Sequence, residues 1–334
     1  MSEVRAKKAL GQHFLVDLNI ARKICDALSG GVRPGTSAGE SAPADMAGNV
    51  GAGADTRVGT DGCADAGVGS LNGGGAGLAA GADARIAADT TAAGAPAAAE
   101  EERGGAVPCD VLEVGCGMGV LTQFLLRRGD ITTYGAEIDP ESVEYLHAHF
   151  PEFAPRLIEG DFLKMNLRER FPRGLKIIGN FPYNISSQIF FKVLEHRDLV
   201  PECVGMIQKE VAVRIAEPPG SKEYGILSVL LQAWYDIEYL FTVNETVFNP
   251  PPKVKSAVIR LRRNSVGRLG CDEALFVKVV KASFGQRRKM IRNSLRAVFG
   301  DFGGAEHPFF TQRAEQLSVA DFVQLTDWVA ANRR

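Results

Sequence analysis

The chain has 334 residues, room for two ordinary domains, with 45% hydrophobic residues and a net charge of −2. Those averages hide a break: residues 30–107 hold 19 Gly, 22 Ala and none of the 26 aromatics, so a disordered insert is expected within a folded protein of 256 residues. The 17-residue uncharged run at 66–82 is too short and weakly apolar to span a bilayer, the basic N-terminus lacks the apolar stretch of a secretory signal, and the six Cys form no CxxC pair, which points to a reducing cytosol without disulfide framework or zinc.

In chain order, Val16 to Ser29 has helical spacing, with Ile20, Ile24, Ala27 and Leu28 on one face and Asp17 at its start. DVLEVG (110–115) reads as a buried strand, Leu121 to Arg128 as a helix, and Ile131 to Glu137 as a second strand. Pro140 opens a helix over Glu141 to Phe150. RLIEGD (156–161), LKIIGN (175–180) and CVGMIQ (203–208) are short strands, and Ser187 to Glu195 lies between as a helix. Ile226 to Val243 is rich in β-branched and aromatic residues, and SAVIRLRR (256–263) alternates as a half-exposed strand. This alternation predicts a doubly wound α/β sheet. Beyond Asn264 only helical spacing remains, over Glu273–Phe284, Arg287–Phe299 and Val319–Ala330, so a small helical domain is expected at the C-terminus.

Two motifs carry chemistry. Gly115-Cys116-Gly117-Met118-Gly119 sits between a strand and a helix, where glycine lets the backbone turn tightly and approach a ligand. Glu137 ends the next strand, 22 residues on, at a distance suited to ribose hydroxyls of an adenosine-containing cofactor; a packing turn and an ordinary surface acid are the plainer alternatives. A dinucleotide fold wants Gly or Ala at position 120, which is Val120, and no Lys or Arg stands in the turn to meet a phosphate. That favours a methyl donor over NAD and disfavours an oxidoreductase. The second motif is Asn180-Phe181-Pro182-Tyr183 at a strand end. Methylating an exocyclic adenine amine needs acceptors for its hydrogens, which the Asn180 side chain and the Phe181 carbonyl supply. Pro182 fixes the backbone and Tyr183 offers a stacking face. Asn-x-Pro alone is an ordinary turn; its conjunction with the glycine turn gives it meaning.

GQHFL (11–15), LEVGCGMGVLT (112–122), EID (137–139), GDFL (160–163), GNFPYNIS (179–186), QKEVAVRI (208–215), YGILSV (224–229) and FNPPPKVKSAV (248–258) occur here in one order. In that order the chain resembles the ribosomal RNA adenine N6-dimethyltransferases over essentially its whole length outside 30–107. FGQRRKMIRNSL (284–295) and RAEQLSVADF (313–322) resemble the housekeeping branch, which acts on small-subunit rRNA, more than the branch that modifies large-subunit rRNA and confers macrolide resistance.

The resemblance implies a Rossmann-like class I methyltransferase using S-adenosyl-L-methionine, which dimethylates two adjacent adenosines near the 3′ end of small-subunit (16S) rRNA. Around the insert at 30–107, which composition marks, it implies a segment over 1–29 that covers the cofactor, a methyltransferase domain at 108–263 and a helical RNA-binding domain at 264–334. His13 and Leu15 would close over the cofactor, Gly115 would meet its methionine part, and Gly117 would shape the turn. Glu137 would take the ribose, Asp161 the adenine amine, and Asn180 would stand between cofactor and target base. Phe248 would cover the target adenine opposite Tyr183. His13 stands where many relatives have Asn, and Cys116 where Pro is frequent; the insert is the large departure.

Charge is unevenly spread: residues 30–107 carry 4 basic and 10 acidic residues, whereas 253–334 carry 16 basic and 7 acidic. A polyanionic partner and a solvated helix surface both fit a basic C-terminal third. Beside an RNA-methylating core, Lys253, Lys255, Arg260, Arg262, Arg287, Arg288, Lys289 and Arg292 are expected to grip rRNA phosphates. The expected partner is the rRNA of an immature 30S particle, with the protein a cytoplasmic monomer that binds no membrane. No metal is expected, because His147 and His149 lie two apart on a helix. A ribosome-assembly factor whose methylation is secondary is the non-enzymatic alternative.

Overall fold

The computed structural model describes residues 4, 6–7, 10–30 and 108–333. The insert expected at 30–107 lies outside them from residue 31 on.

A seven-stranded sheet forms the centre. It comprises β2 (Cys109–Val114), β3 (Ile131–Glu137), β4 (Leu157–Glu159), β5 (Lys176–Asn180), β6 (Glu202–Gln208), β7 (Tyr235–Val243) and β9 (Ser256–Arg263) in the order β4-β3-β2-β5-β6-β9-β7. Pairing is parallel from β4 to β6, while β9 runs antiparallel to both neighbours. A separate two-stranded ribbon joins β1 (Phe14–Leu15) to β8 (Phe248–Asn249), with Leu15 opposite Phe248. The helices are α1 (Leu18–Asp26), α2 (Thr122–Leu125), α3 (Pro140–His149), α4 (Leu167–Arg170), α5 (Ser186–Glu195), α6 (Lys209–Ala216), α7 (Ile226–Gln232), α8 (Glu273–Gly285), α9 (Ile291–Phe299) and α10 (Val319–Asn332). The doubly wound α/β expectation therefore holds.

Local chemistry sets the boundaries. Asp17 caps α1 by accepting from the Asn19 and Ile20 amides at 2.8 and 3.1 Å. Asp139 caps α3, with Pro140 in its first turn. Leu112, Val111, Ile177, Ile178, Val204 and Met206 are wholly buried, as the central strands of a parallel sheet covered on both faces require. Two expectations are revised and one motif is placed. The uniform stretch Ile226–Val243 divides into α7 and β7. QKEVAVRI begins at the end of β6 and continues as α6. The helix expected from Arg287 starts only at Ile291, because Met290 bridges Arg313 and the Ile291 amide donates to the Gln312 carbonyl at 2.9 Å. Arg287, Arg288 and Lys289 thus occupy a turn.

The three last helices share an apolar core with α7: Phe276, Val280, Leu295, Phe322 and Leu325 cluster with Leu230 and Trp234. Trp234 meets Phe276 edge to face, with centroids 6.0 Å apart.

At the N-terminal edge of the sheet the end of α1 is clamped. The buried pair Lys176–Glu202, 3.1 Å apart, sits against Ser29. Lys176 Nζ donates to the Ser29 and Gly30 carbonyls at 2.9 and 3.0 Å, and the Ser29 amide donates to both Glu202 oxygens at 3.2 Å. Arg128 adds bonds to the Cys25 and Leu28 carbonyls at 3.1 and 2.9 Å.

Candidate active site

The strand order reverses between β2 and β5: the chain leaves β2 toward β3 on one side and β5 toward β6 on the other. Their carboxyl ends must then part, and ligands bind in such a crevice. An open cleft lies there. His13, Leu15, Gly115, Gly117, Glu137, Asp161, Asn180, Phe181, Pro182 and Tyr183 all line it, although 167 positions separate His13 from Asn180.

The glycine turn is built for close approach. Gly117 has φ +53°, and a Cβ there would stand 3.1 Å from the Phe14 ring. The turn is tied to β3 twice. The Gly115 amide donates to the Ala136 carbonyl at 2.9 Å, and the Gly117 amide to Glu137 Oε2 at 2.8 Å. Glu137 Oε1 also accepts from the Ile138 and Asp139 amides, both at 2.9 Å. Three of the carboxylate's roughly four acceptor positions are thereby used, so Glu137 builds the turn while keeping about one for a ligand hydroxyl. Ile138, next to it and exposed, supplies an apolar surface on the same wall.

Asp161 follows β4 and uses one oxygen to accept from the Leu163 amide at 2.9 Å. Asn180 ends β5, and its Nδ2 donates to the His13 carbonyl at 2.9 Å, which leaves the amide's acceptor end uncommitted among the described residues. The Phe181 ring is buried edge to face against Phe190, so its side chain packs and only its backbone serves the cleft. Tyr183 Oη is pinned to Ser256 Oγ at 2.5 Å, and its ring stands 5.3 Å from that of His13. His13 Nδ1 donates to the Pro250 carbonyl at 2.9 Å, since a carbonyl can only accept.

Phe248 is corrected. It is 4% exposed in a second apolar cluster with Leu15, Ile24 and Val258, and it does not line the cleft. It stands opposite Leu15 in the β1–β8 ribbon and shares that residue's apolar cluster.

The basic residues separate into groups. Lys253 and Lys255 are exposed just before Ser256, at the Tyr183 end of β9. Arg288 and Lys289 are exposed on the turn between α8 and α9, while Arg287 is held by the Lys222 carbonyl and lies 3.9 Å from Glu315. Arg260 donates to the Ala27 carbonyl at 2.9 Å and pairs with Glu238 at 2.5 Å. Arg262 lies 3.6 Å from both Glu202 and Glu238, six residues beyond Ser256, or about 20 Å along the strand. Both belong to the opposite edge of the sheet, and Arg260 is a framework residue. Arg292 pairs with Glu306 and covers the Phe310 ring.

Three further residues support the site from behind its lining, and none of them receives a role from the sequence alone. Asp139 accepts from Lys7 Nζ at 2.5 Å and Gln12 Nε2 at 3.1 Å, fastening the N-terminal segment beside Glu137. Lys192 reaches the loop after Asp161. Glu113, buried beneath the glycine turn, accepts from Thr122 Oγ1 at 2.6 Å. Burial pushes its carboxyl up to about 8; the Thr122 hydroxyl works the other way and the Glu137 charge adds to the rise. An acid whose pKa is raised by folding contributes stability at low pH that is lost as pH climbs to the folded value. Unfolding by denaturant should therefore become easier from pH 5.5 to pH 8, and Glu113→Gln should remove much of that slope. An unchanged slope would exclude Glu113 as its source.

Among the described residues no cluster of His, Cys, Asp or Glu could hold a metal; His147 pairs with Glu159 at 3.1 Å and His149 stacks on Tyr145 at 3.9 Å. No helix among them is long and apolar enough to cross a membrane.

The profile of the ribosomal RNA adenine dimethylase family matches residues 108–331. A ribosomal RNA small subunit methyltransferase A from Porphyromonas gingivalis is 46% identical over 330 residues, 98% of each chain. Another from Parabacteroides distasonis is 61% identical over 218 residues, 65% of this chain and 81% of its own. Among solved structures, a dimethyladenosine transferase from Plasmodium falciparum superposes with a TM-score of 0.56 at 25% identity, covering 67% of this chain and 90% of that one. With a cleft of this construction and relatives that span its length, the chain belongs to the ribosomal RNA adenine dimethylase family.

Proposed function

We propose that this cleft transfers methyl groups from S-adenosyl-L-methionine to N6 of two adjacent adenosines near the 3′ end of small-subunit rRNA within an immature 30S particle. The observation that carries this reading is the uncommitted acceptor end of Asn180, in the same cleft as the glycine turn. The donor set suits the cofactor. It offers a carboxylate with acceptor capacity for a hydroxyl, a second acid at Asp161, the apolar Ile138, and no cation in the turn for a phosphate.

When bound, the cofactor supplies an electrophilic sulfonium methyl. The protein's contribution is positioning and electrostatics. Asn180 Oδ1 and the Phe181 carbonyl hold the two hydrogens of the target amine and stabilise the positive charge that develops on it. Tyr183, pinned by Ser256, gives the base a fixed face once it leaves its stack. The segment from Leu10 to Leu15 forms one wall and excludes water from the reacting atoms.

Residues 108–263 carry the chemistry in this reading and 264–334 dock the RNA, with the protein acting as a cytoplasmic monomer. Lys253, Lys255, Arg287, Arg288, Lys289 and Arg292 contact phosphates. Incubated with immature small subunits and methyl donor, the protein should modify two adjacent adenosines near the 3′ end and leave large-subunit rRNA unmodified. Replacing Arg287, Arg288 and Lys289 together by Gln should lower the slope of log affinity against log salt by about 2–3, with cofactor affinity retained. Modification of large-subunit rRNA would favour the macrolide-resistance branch, and an unchanged salt slope would remove these three residues from the interface.

A further inference from the structure

We propose that Lys192 is a positioning residue that sets the cofactor's adenine specificity, by locking the turn that presents Asp161. This rests on the reading of Asp161 as acceptor for the cofactor's adenine amine.

Lys192 lies in α5, two turns beyond the loop Phe181–Ile185, and is 8% exposed. A buried ammonium is costly unless fully hydrogen-bonded. Its partners are two carbonyls of one loop, Leu163 at 2.9 Å and Met165 at 2.7 Å. It also stands 5.6 Å over the Phe162 ring. Burial lowers its pKa, opposed by the Glu195 and Asp161 charges.

Those two carbonyls belong to the turn that Asp161 begins. The peptide joining Leu163 to Lys164 gives its carbonyl to Lys192 and its N–H to the Asp161 carbonyl at 3.0 Å. The Leu163 amide in turn donates to Asp161 Oδ1 at 2.9 Å. The main chain and the side chain of Asp161 are thus each fixed by one N–H of a turn that Lys192 closes from behind. Asp161, Phe162 and Leu163 all line the cleft, whereas Lys192 does not. A cation that polarises the first peptide strengthens the N–H bond on its far side. The arrangement holds one Asp161 oxygen inward-bonded and, among the described residues, leaves the other for a ligand donor.

The test compares binding of S-adenosylhomocysteine and S-inosylhomocysteine, which carries a carbonyl in place of the adenine amine, by titration calorimetry on the full chain. The wild type should prefer the adenosyl compound at least about tenfold, since a carboxylate accepts from an amine and repels a carbonyl. Lys192→Met keeps the apolar stem and removes the donors; Lys192→Gln keeps donors without charge and serves if the first variant folds poorly. Either should reduce the preference by about fivefold or more. The preference is a ratio measured on one folded population, so partial unfolding does not alter it. If both variants weaken the two ligands equally, Lys192 only supports the fold and the proposal is overturned. Asp161→Ala separates the two ideas. Should it retain the preference, the reading of Asp161 fails and the proposal with it. Should it lose the preference while both Lys192 variants keep it, only the role of Lys192 fails.

Discussion

Asn180→Ala should reduce single-turnover methyl transfer to small-subunit RNA by roughly 10²–10³, the cost of losing one preorganised partner of a developing charge. Cofactor affinity should fall by less than about tenfold, because the glycine turn, Glu137 and Asp161 remain in place. Asn180 has two functions in the geometry: Nδ2 holds the His13 carbonyl, and Oδ1 is the acceptor. Asn180→Asp keeps an acceptor and loses the donor, so it should fall between the wild type and the Ala variant. A rate near wild type for Asn180→Ala would remove the amide from the reaction. If instead the Ala variant loses methyl transfer while small subunits mature equally well with it and with the wild type, the protein acts chiefly as a non-enzymatic assembly factor.

Lys176→Met should destabilise the fold by about 3–5 kcal/mol, because it removes the buried cation that faces Glu202 and the donor to the Ser29 and Gly30 carbonyls. Replacing Glu202 by Leu as well should recover most of the loss, since an apolar pair avoids the desolvation of both charges. Urea denaturation of the two variants measures this, and equal midpoints for Lys176→Met and wild type would overturn it. Burial alone would raise the Glu202 carboxyl, but hydrogen bonds from Ser29 and the Lys176 charge hold it below the ordinary range. Its stabilisation is therefore present above the unfolded carboxylate pKa and disappears as pH falls through the lower folded value. Methyl transfer per folded molecule should be unaffected, as Lys176 begins β5 and Asn180 ends it.

The central parallel strands at Cys109–Val114, Lys176–Asn180 and Glu202–Gln208 were legible because they are covered on both faces and read as short apolar runs. Ser256–Arg263, antiparallel to both neighbours, was legible from its alternation. The division of Ile226–Val243 was not legible. Apolar residues lie on both sides of it, and the break is fixed by remote contacts, Phe276 on the Trp234 ring and the Asn264 amide on the Trp234 carbonyl at 3.1 Å. The start of α9 is likewise fixed by Arg313, 23 residues from Met290. At the cleft, residues at the ends of strands were visible because motif and strand end coincide. The roles of Asp139, quoted only as part of EID, and of Lys192 were not, since each acts through partners 132 and 29 positions away that no local spacing reveals. Phe248 shows the converse: its motif is plain, but its place opposite Leu15 depends on the strand it pairs with.

The wall formed by His13 to Leu15 belongs to both halves of the cleft. One face closes the space above the glycine turn, where the Phe14 ring meets Gly117, and its edges are bonded to Asn180, Pro250 and Phe248 on the side of the target base. A ligand that settles this wall from either side lowers the ordering cost left for the other. Cofactor and RNA are then linked ligands, and reciprocity is a thermodynamic necessity: whatever factor the cofactor adds to RNA affinity, bound RNA returns to the cofactor.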